Sequence, residues 1–161
     1  MGLSALSNIF PPELATVIIS TLPVAELRGS IPIAIAIYNL DPIVAYVLSV
    51  IGNMIPAILI LSLLGPLSGY LMQRFTWANN FFEWLFDRTK RKFSGKYEKW
   101  GYLALILFVA IPLPVTGVWT GSVAAFLFGI PKKIAFGLIF LGAAIAGVIV
   151  SLATLGLIII F

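Results

Sequence analysis

Two short stretches of this chain carry nearly all of its chemistry. The first is Leu22-Pro23-Val24-Ala25-Glu26-Leu27-Arg28-Gly29-Ser30-Ile31-Pro32. It sets a carboxylate and a guanidinium into a run that is otherwise apolar from Leu14 to Tyr38. A charge at membrane depth costs about 2.5–3.5 kcal/mol on insertion scales, so such groups face a cavity or a partner. Arg28 presents five donors in a rigid fork, a match for phosphate or carboxylate. Glu26 is the one carboxylate placed at depth; burial and Arg28 act on its protonation in opposite senses, which suits a proton-coupled step. Gly29 and Ser30 complete this candidate site.

The second stretch is Pro112-Leu113-Pro114-Val115-Thr116-Gly117-Val118-Trp119-Thr120-Gly121-Ser122. Thr116, Thr120 and Ser122 supply hydroxyls, and Trp119 supplies a ring and one donor. Gly117 and Gly121 allow close backbone approach. Asn53, alone in a long apolar run, bonds another helix or reaches substrate. A purely structural reading stands beside these. Glu26 and Arg28 could pair with each other, or across a dimer, and lock the chain reversal. The prolines and hydroxyls of the second stretch could serve only to satisfy backbone groups freed by the break.

The elements that must hold these residues are helical. Pro11-Pro12-Glu13 reads as a helix start. Leu14 to Leu22 is apolar but nine residues long, about 14 Å, or half a bilayer. The break is expected near Glu26 to Ser30, followed by a short return, Ile33 to Tyr38, and a turn at Asn39-Leu40-Asp41-Pro42. Residues 14–38 are then either one kinked span or a re-entrant hairpin. Ile43 to Leu64 is a full uncharged span with Pro56 as a candidate kink, and Gly65-Pro66-Leu67-Ser68-Gly69 is expected to leave the membrane. From Arg74 to Trp100, Trp77, Phe81 and Leu85 fall at helical spacing among charges, the pattern of an amphipathic interfacial helix. Leu103 to Ile111 is again nine residues. It is followed by the second break, a return over Val123 to Phe128, a turn at Gly129-Ile130-Pro131 and a long span from Ile134 to Phe161. Ala143, Gly147 and Ser151 form a small-residue stripe along that span.

Composition sets the class. Of 161 residues, 61% are hydrophobic and 10% charged, and the mean hydropathy is +1.11; soluble domains are nearer a quarter charged. With no Cys and no His, thiolate chemistry and the usual metal ligand are unavailable. No phosphate loop and no paired carboxylates at depth occur, so the reading is not an enzyme and needs no cofactor or metal. Met1 to Phe10 lacks the basic region of a signal peptide, and Leu6 breaks the myristoylation pattern. The net charge of +4 sits beside membrane segments, which points to a membrane face and away from nucleic acid.

The two halves share one layout, with Gly29-Ser30 matching Gly121-Ser122. If both breaks are re-entrant, residues 65–101 and the Lys132-Lys133 turn share a side that holds nine of the ten basic residues. The positive-inside rule makes that side cytoplasmic. The expected fold class is therefore an all-α integral membrane protein with two inverted repeats, each a re-entrant helical hairpin plus a transmembrane helix, joined by an amphipathic interfacial helix. Repeat one covers 11–64, the linker 70–100 and repeat two 101–161, all within one multi-pass plasma-membrane domain. Broken helices at matching positions point to a transporter site.

The two breaks resemble the signatures of the small multidrug export protein family of prokaryotic membrane proteins, and the similarity covers most of the chain. The family name implies efflux. The hairpin layout is also similar to the DedA family, whose members are linked to moving polyprenyl-phosphate lipid carriers. That kinship implies proton coupling at Glu26 and phosphate binding at Arg28, although the DedA pattern has arginines in the second hairpin and this break has no charge.

The expected function is a small transporter, ion- (proton-) coupled, moving a small or amphiphilic substrate as a homodimer in the lipid bilayer. The alternatives are a DedA-like polyprenyl-phosphate flippase, a non-transporting scaffold with a structural Glu–Arg pair, and a channel. Single cysteines placed at Asp41 and Gly69 of this cysteine-free chain should react with impermeant label from opposite sides. Reaction from one side would overturn the sidedness.

Overall fold

The computed structural model describes residues 10–92, 96–113 and 116–160; side chains of 85, 86, 88–92, 96–99 and 160 lie outside the description. Seven helices occur among the described residues: α1 (Pro12–Thr21), α2 (Glu26–Ala36), α3 (Pro42–Arg74), α4 (Thr76–Lys92), α5 (Lys96–Ala110), α6 (Val118–Leu127) and α7 (Lys132–Ile160). No strand is present among them. The order is short, short, long on both sides of α4. The helices α1, α2 and α6 have 10, 11 and 10 residues, about 15 Å each at 1.5 Å per residue. By length and apolarity, α3 and α7 are long enough to cross a membrane.

Local signals account for most of the boundaries. Pro12 opens α1 at a position whose N–H would be unsatisfied anyway. Asp41 caps α3, its Oδ1 accepting from the Ile43 and Val44 amides at 2.8 and 3.3 Å. Gly129, at φ +65°, makes the turn before Pro131 and α7.

Three expectations are corrected. The first break lies at Leu22–Ala25, and Glu26 to Ser30 already belong to α2. Pro23 confines the preceding residue to extended backbone, and Leu22 sits at φ −75°, ψ 134°. The chain does not leave its helix at Gly65 to Gly69: α3 runs on through Pro56 and Pro66 to Arg74. An internal proline removes one backbone bond and kinks a helix without having to end it. The Ser68 hydroxyl then back-bonds the Gly65 carbonyl at 2.8 Å. Finally, α5 begins at Lys96 and passes through Gly101, so the last residues of the expected linker are the first turn of α5. The expected stripe residue Leu85 has its side chain outside the description, whereas Trp77, Phe81 and Trp84 of α4 are exposed.

Packing follows one scheme in each half. α1 lies on α3 and α5 lies on α7; α2 and α6 each contact both long helices; and α3 contacts α7. Small residues permit these approaches. Gly147 of α7 faces Tyr46 of α3, and the Tyr46 hydroxyl donates to the Ala144 carbonyl at 3.2 Å. Ala143 is fully buried. Gly52 brings α3 against α1: a Cβ there would strike the Ser20 hydroxyl and lie 2.6 Å from the Val17 carbonyl. Outward, Ile43, Ile51, Leu59, Leu63 and Leu152 stay exposed, a surface suited to lipid.

The Gly52 contact is testable. Gly52→Ala should lower the thermal midpoint in detergent, since overpacking costs about 1–3 kcal/mol. Gly69→Ala, with nothing within 4 Å, should be neutral or stabilising by about 0.5–1 kcal/mol. Equal midpoints for the two variants would contradict the close approach of α1 and α3.

Candidate functional site

The breaks between α1 and α2 and between α5 and α6 lie against each other, with Glu26 and Gly117 buried at the contact and Leu22, Pro23 and Val24 exposed. Pro23 ends the first helix, and the chain re-enters α2 at Glu26, whose φ is +45°. Left-handed backbone at a non-glycine residue costs of order 1–3 kcal/mol and persists only where the surroundings impose it. Here the surroundings are the start of α6. Trp119 donates its amide to Glu26 Oε1 at 3.4 Å, and the Val118 amide also points at the carboxylate. Glu26 thus sits, buried, at a helix N-terminus supplied by the other half of the chain. An anion there is stabilised by about 0.3–1 kcal/mol, and more when partly buried.

Arg28 lies two residues further along α2 and crosses to the same break. Its terminal nitrogen Nη2 donates to the Thr116 carbonyl and also reaches Thr116 Oγ1 at 3.2 Å. Thr116 is itself fixed: its hydroxyl is 2.7 Å from the Ile111 carbonyl and 2.8 Å from the Leu113 carbonyl. These bonds run from each charge to the opposite break. A charged donor on a carbonyl contributes about 1.5–3 kcal/mol.

Gly117 makes the junction possible. Its φ is +140°, and an added Cβ would overlap the Glu26 carboxylate, 2.7 Å from its Cδ. Trp119 adds a third tie, its Nε1 donating to the Thr21 carbonyl at the end of α1, 3.1 Å away.

The charged pair borders a cavity of about 400 Å³ lined by Pro23, Val24, Glu26, Arg28, Thr116, Trp119 and Thr120. That is within the usual range for small-molecule sites. Five of the nine residues singled out from sequence therefore share one cavity: Glu26, Arg28, Thr116, Trp119 and Thr120. Gly29 is packed against the Ala25 methyl, which a Cβ would meet at 3.0 Å. Ser30 is fully buried and donates to Ser49 Oγ at 2.8 Å, tying α2 to α3. Ser122 is buried and back-bonds the Val118 carbonyl at 2.7 Å. Asn53 lies on the inner side of the pair, 1% exposed, with Glu26 and Arg28 beside it. Pro23 was legible as the interruption of the first run but not as a wall of the cavity; Val24 and the Thr21 carbonyl were not singled out, and nothing in their residue types distinguishes them from ordinary turn and helix-end residues.

Over residues 26–149 the chain matches the model of the family described as "Putative small multi-drug export protein". The chain belongs to this family. The matched region begins at Glu26 and contains Arg28, Asn53 and the whole second break. No curated protein and no solved structure matches the chain. Family membership together with two long apolar helices makes this a membrane protein, and the family is one of export proteins rather than an enzyme class.

Gly117→Ala tests the junction. It should lower the thermal midpoint well beyond the effect of Gly137→Ala, where nothing lies within 4 Å. Left-handed strain alone accounts for about 1–3 kcal/mol of that loss. Matching midpoints would mean that Glu26 does not abut Gly117.

Proposed function

We propose that this family member is a proton-coupled transporter that moves a small or amphiphilic substrate through the cavity where its two helix breaks meet. One observation carries the reading: Glu26 and Arg28, the charges of the first break, hold the backbone of the second at the rim of a 400 Å³ cavity. Ionised Glu26 holds the α6 N-terminus by charge and dipole. Protonation removes that charge and loosens one break from the other. Proton occupancy and the opening of the site are thereby linked, as a coupled transporter requires.

The breaks are read as two re-entrant hairpins in inverted repeats. The half-length helices, their reciprocal packing on α3 and α7, and the short-short-long order support this. So does Lys132, whose Nζ would be 3.4 Å from a Cβ at Gly65, at one level of the molecule. Residues 65–101 and the Lys132-Lys133 turn then face the cytoplasm, with α4 at the headgroups through Trp77, Phe81 and Trp84. A pathway walled by two spans and two hairpins favours a homodimer.

The scaffold reading has its own support. Both charges bond backbone groups that a broken helix would otherwise leave unpaired. Proteoliposome transport under an imposed proton gradient separates the two. Glu26→Gln keeps the shape of the side chain and should give folded protein with transport reduced about tenfold or more, the equivalent of ~1.4 kcal/mol. Arg28→Ala should also abolish thermal stabilisation by a polyprenyl phosphate if the substrate is that anion. It should leave stabilisation by a cationic drug intact if Glu26 binds a cation. No transport by the wild type, or a Glu26→Gln variant that fails to fold or assemble, would favour the scaffold; unaltered transport in folded Glu26→Gln would overturn proton coupling at this residue. Transport that neither saturates nor responds to the gradient would favour a channel.

A further inference from the structure

Asn53 is the group that the cavity and its charged rim leave unexplained. It sits in the middle of α3, 1% exposed, and neither Oδ1 nor Nδ2 has a hydrogen-bond partner within the protein. Buried amides are nearly always satisfied, and one that is not calls for a bound water, an ion or a functional role. A second, much smaller space of about 10 Å³ adjoins it, on the inner side of the charged pair. A space of that size is about what one water needs, provided that two or more polar groups line it. Here the lining includes Asn53, Glu26, Arg28 and the Gly117–Val118 backbone at the start of α6, closed by Val109 and Ala143. Gly117 and Ala143 are small, and a larger side chain at either would fill it.

We propose that Asn53 holds one bound water against Glu26, so that the carboxyl has a hydrogen-bonded partner on its inner face as well as access to the large cavity on its outer one. The amide suits this role because it can donate to the water and accept from it, whichever way the carboxyl is protonated. The water is favoured over a monovalent cation by the Arg28 guanidinium on the same wall, which repels a second positive charge. No other charged group among the described residues faces Glu26 across this space: α3 contributes Asn53, α5 Val109, α6 Gly117 and Val118, and α7 Ala143 and Ala146. Asn53 is then a positioning residue, acting on the proton through the water. The consequence for coupling rests on the function proposed for Glu26, but the water itself does not.

Radiolytic hydroxyl-radical labelling of the full chain in nanodiscs reads bound water directly. Val109 and Val118 should be modified in the wild type, and modification should fall several-fold in Asn53→Leu, which has similar volume and no polar atoms. Ile19, fully buried and not among the residues that line this space, should stay unmodified in both. In parallel, the infrared band of the protonated Glu26 carboxyl, assigned by subtraction of Glu26→Gln, should exchange with deuterium several-fold more slowly in Asn53→Leu. If Asn53 only fills the core, leucine raises Tm and leaves both readings unchanged, and the inference is overturned. It is equally overturned if replacing choline chloride with sodium chloride suppresses the labelling, which would identify a cation. Should Asn53→Leu fail to fold, Asn53→Ser retains a hydroxyl and adds room, and its labelling must persist for the inference to stand. Neither reading requires transport. An active transporter without labelling refutes the water alone, whereas a labelled protein that never transports refutes only the proposed function.

Discussion

A broken helix must find partners for the backbone groups it frees, because a buried group left unpaired is costly. In this chain the two breaks solve that problem for each other. The N-terminus of α6 receives a carboxylate from α2, and the carbonyl of Thr116 receives a guanidinium from the same helix. The left-handed Glu26 and the side-chain-free Gly117 are the local costs of bringing the breaks this close. The two charges, each bonded to the opposite break, clamp one break to the other.

The rest of the packing serves that meeting point. Apolar side chains cannot drive helix association in lipid as they do in water, so close approach and a few hydrogen bonds must do so. Gly52 seats α1 on α3, and Gly147 with Tyr46 seats α7 on α3. The Ser30–Ser49 bond fixes α2 to α3 from behind. Each contact constrains a helix that carries one wall of the site, and none of the three lies in the cavity itself. The division is between buried small residues that set helix spacing and a handful of charged or aromatic groups that line the space.

That division bears on how the proposed transport would work. The clamp is held by charge, and charge on a carboxyl is removable by a proton, whereas the glycine contacts do not respond to pH. On the proposed function, a proton weakens the contact between the breaks and leaves the helix scaffold intact. The cavity borders the clamp on its outer side and the Asn53 amide borders it on the other. Any substrate that competes for Arg28 or Glu26 competes with the bonds that join the two breaks.

Residue types alone determined a good deal. The apolar composition set the class, the prolines at 23 and 112 marked both breaks, and Asp41 and Gly129 marked the turns before the long helices. Those signals act within a few residues of themselves, through a missing N–H, a restricted φ or a capping oxygen, so they are legible without a fold. The ends of α3 and α5 were not legible, because Gly65-Pro66 and Gly101 weaken a helix without forbidding it, and neighbouring helices decide whether it continues. The facing of each side chain was also hidden. Helices that are apolar on every side carry little periodic signal for which face is inward, so nothing in the sequence separated Thr116 and Trp119, which line the cavity, from Ser30 and Ser122, which turn into helix contacts. Only the tertiary structure brought Glu26 to the start of α6, since that contact joins residues more than 90 positions apart and depends on the rotation of two helices that only their packing fixes.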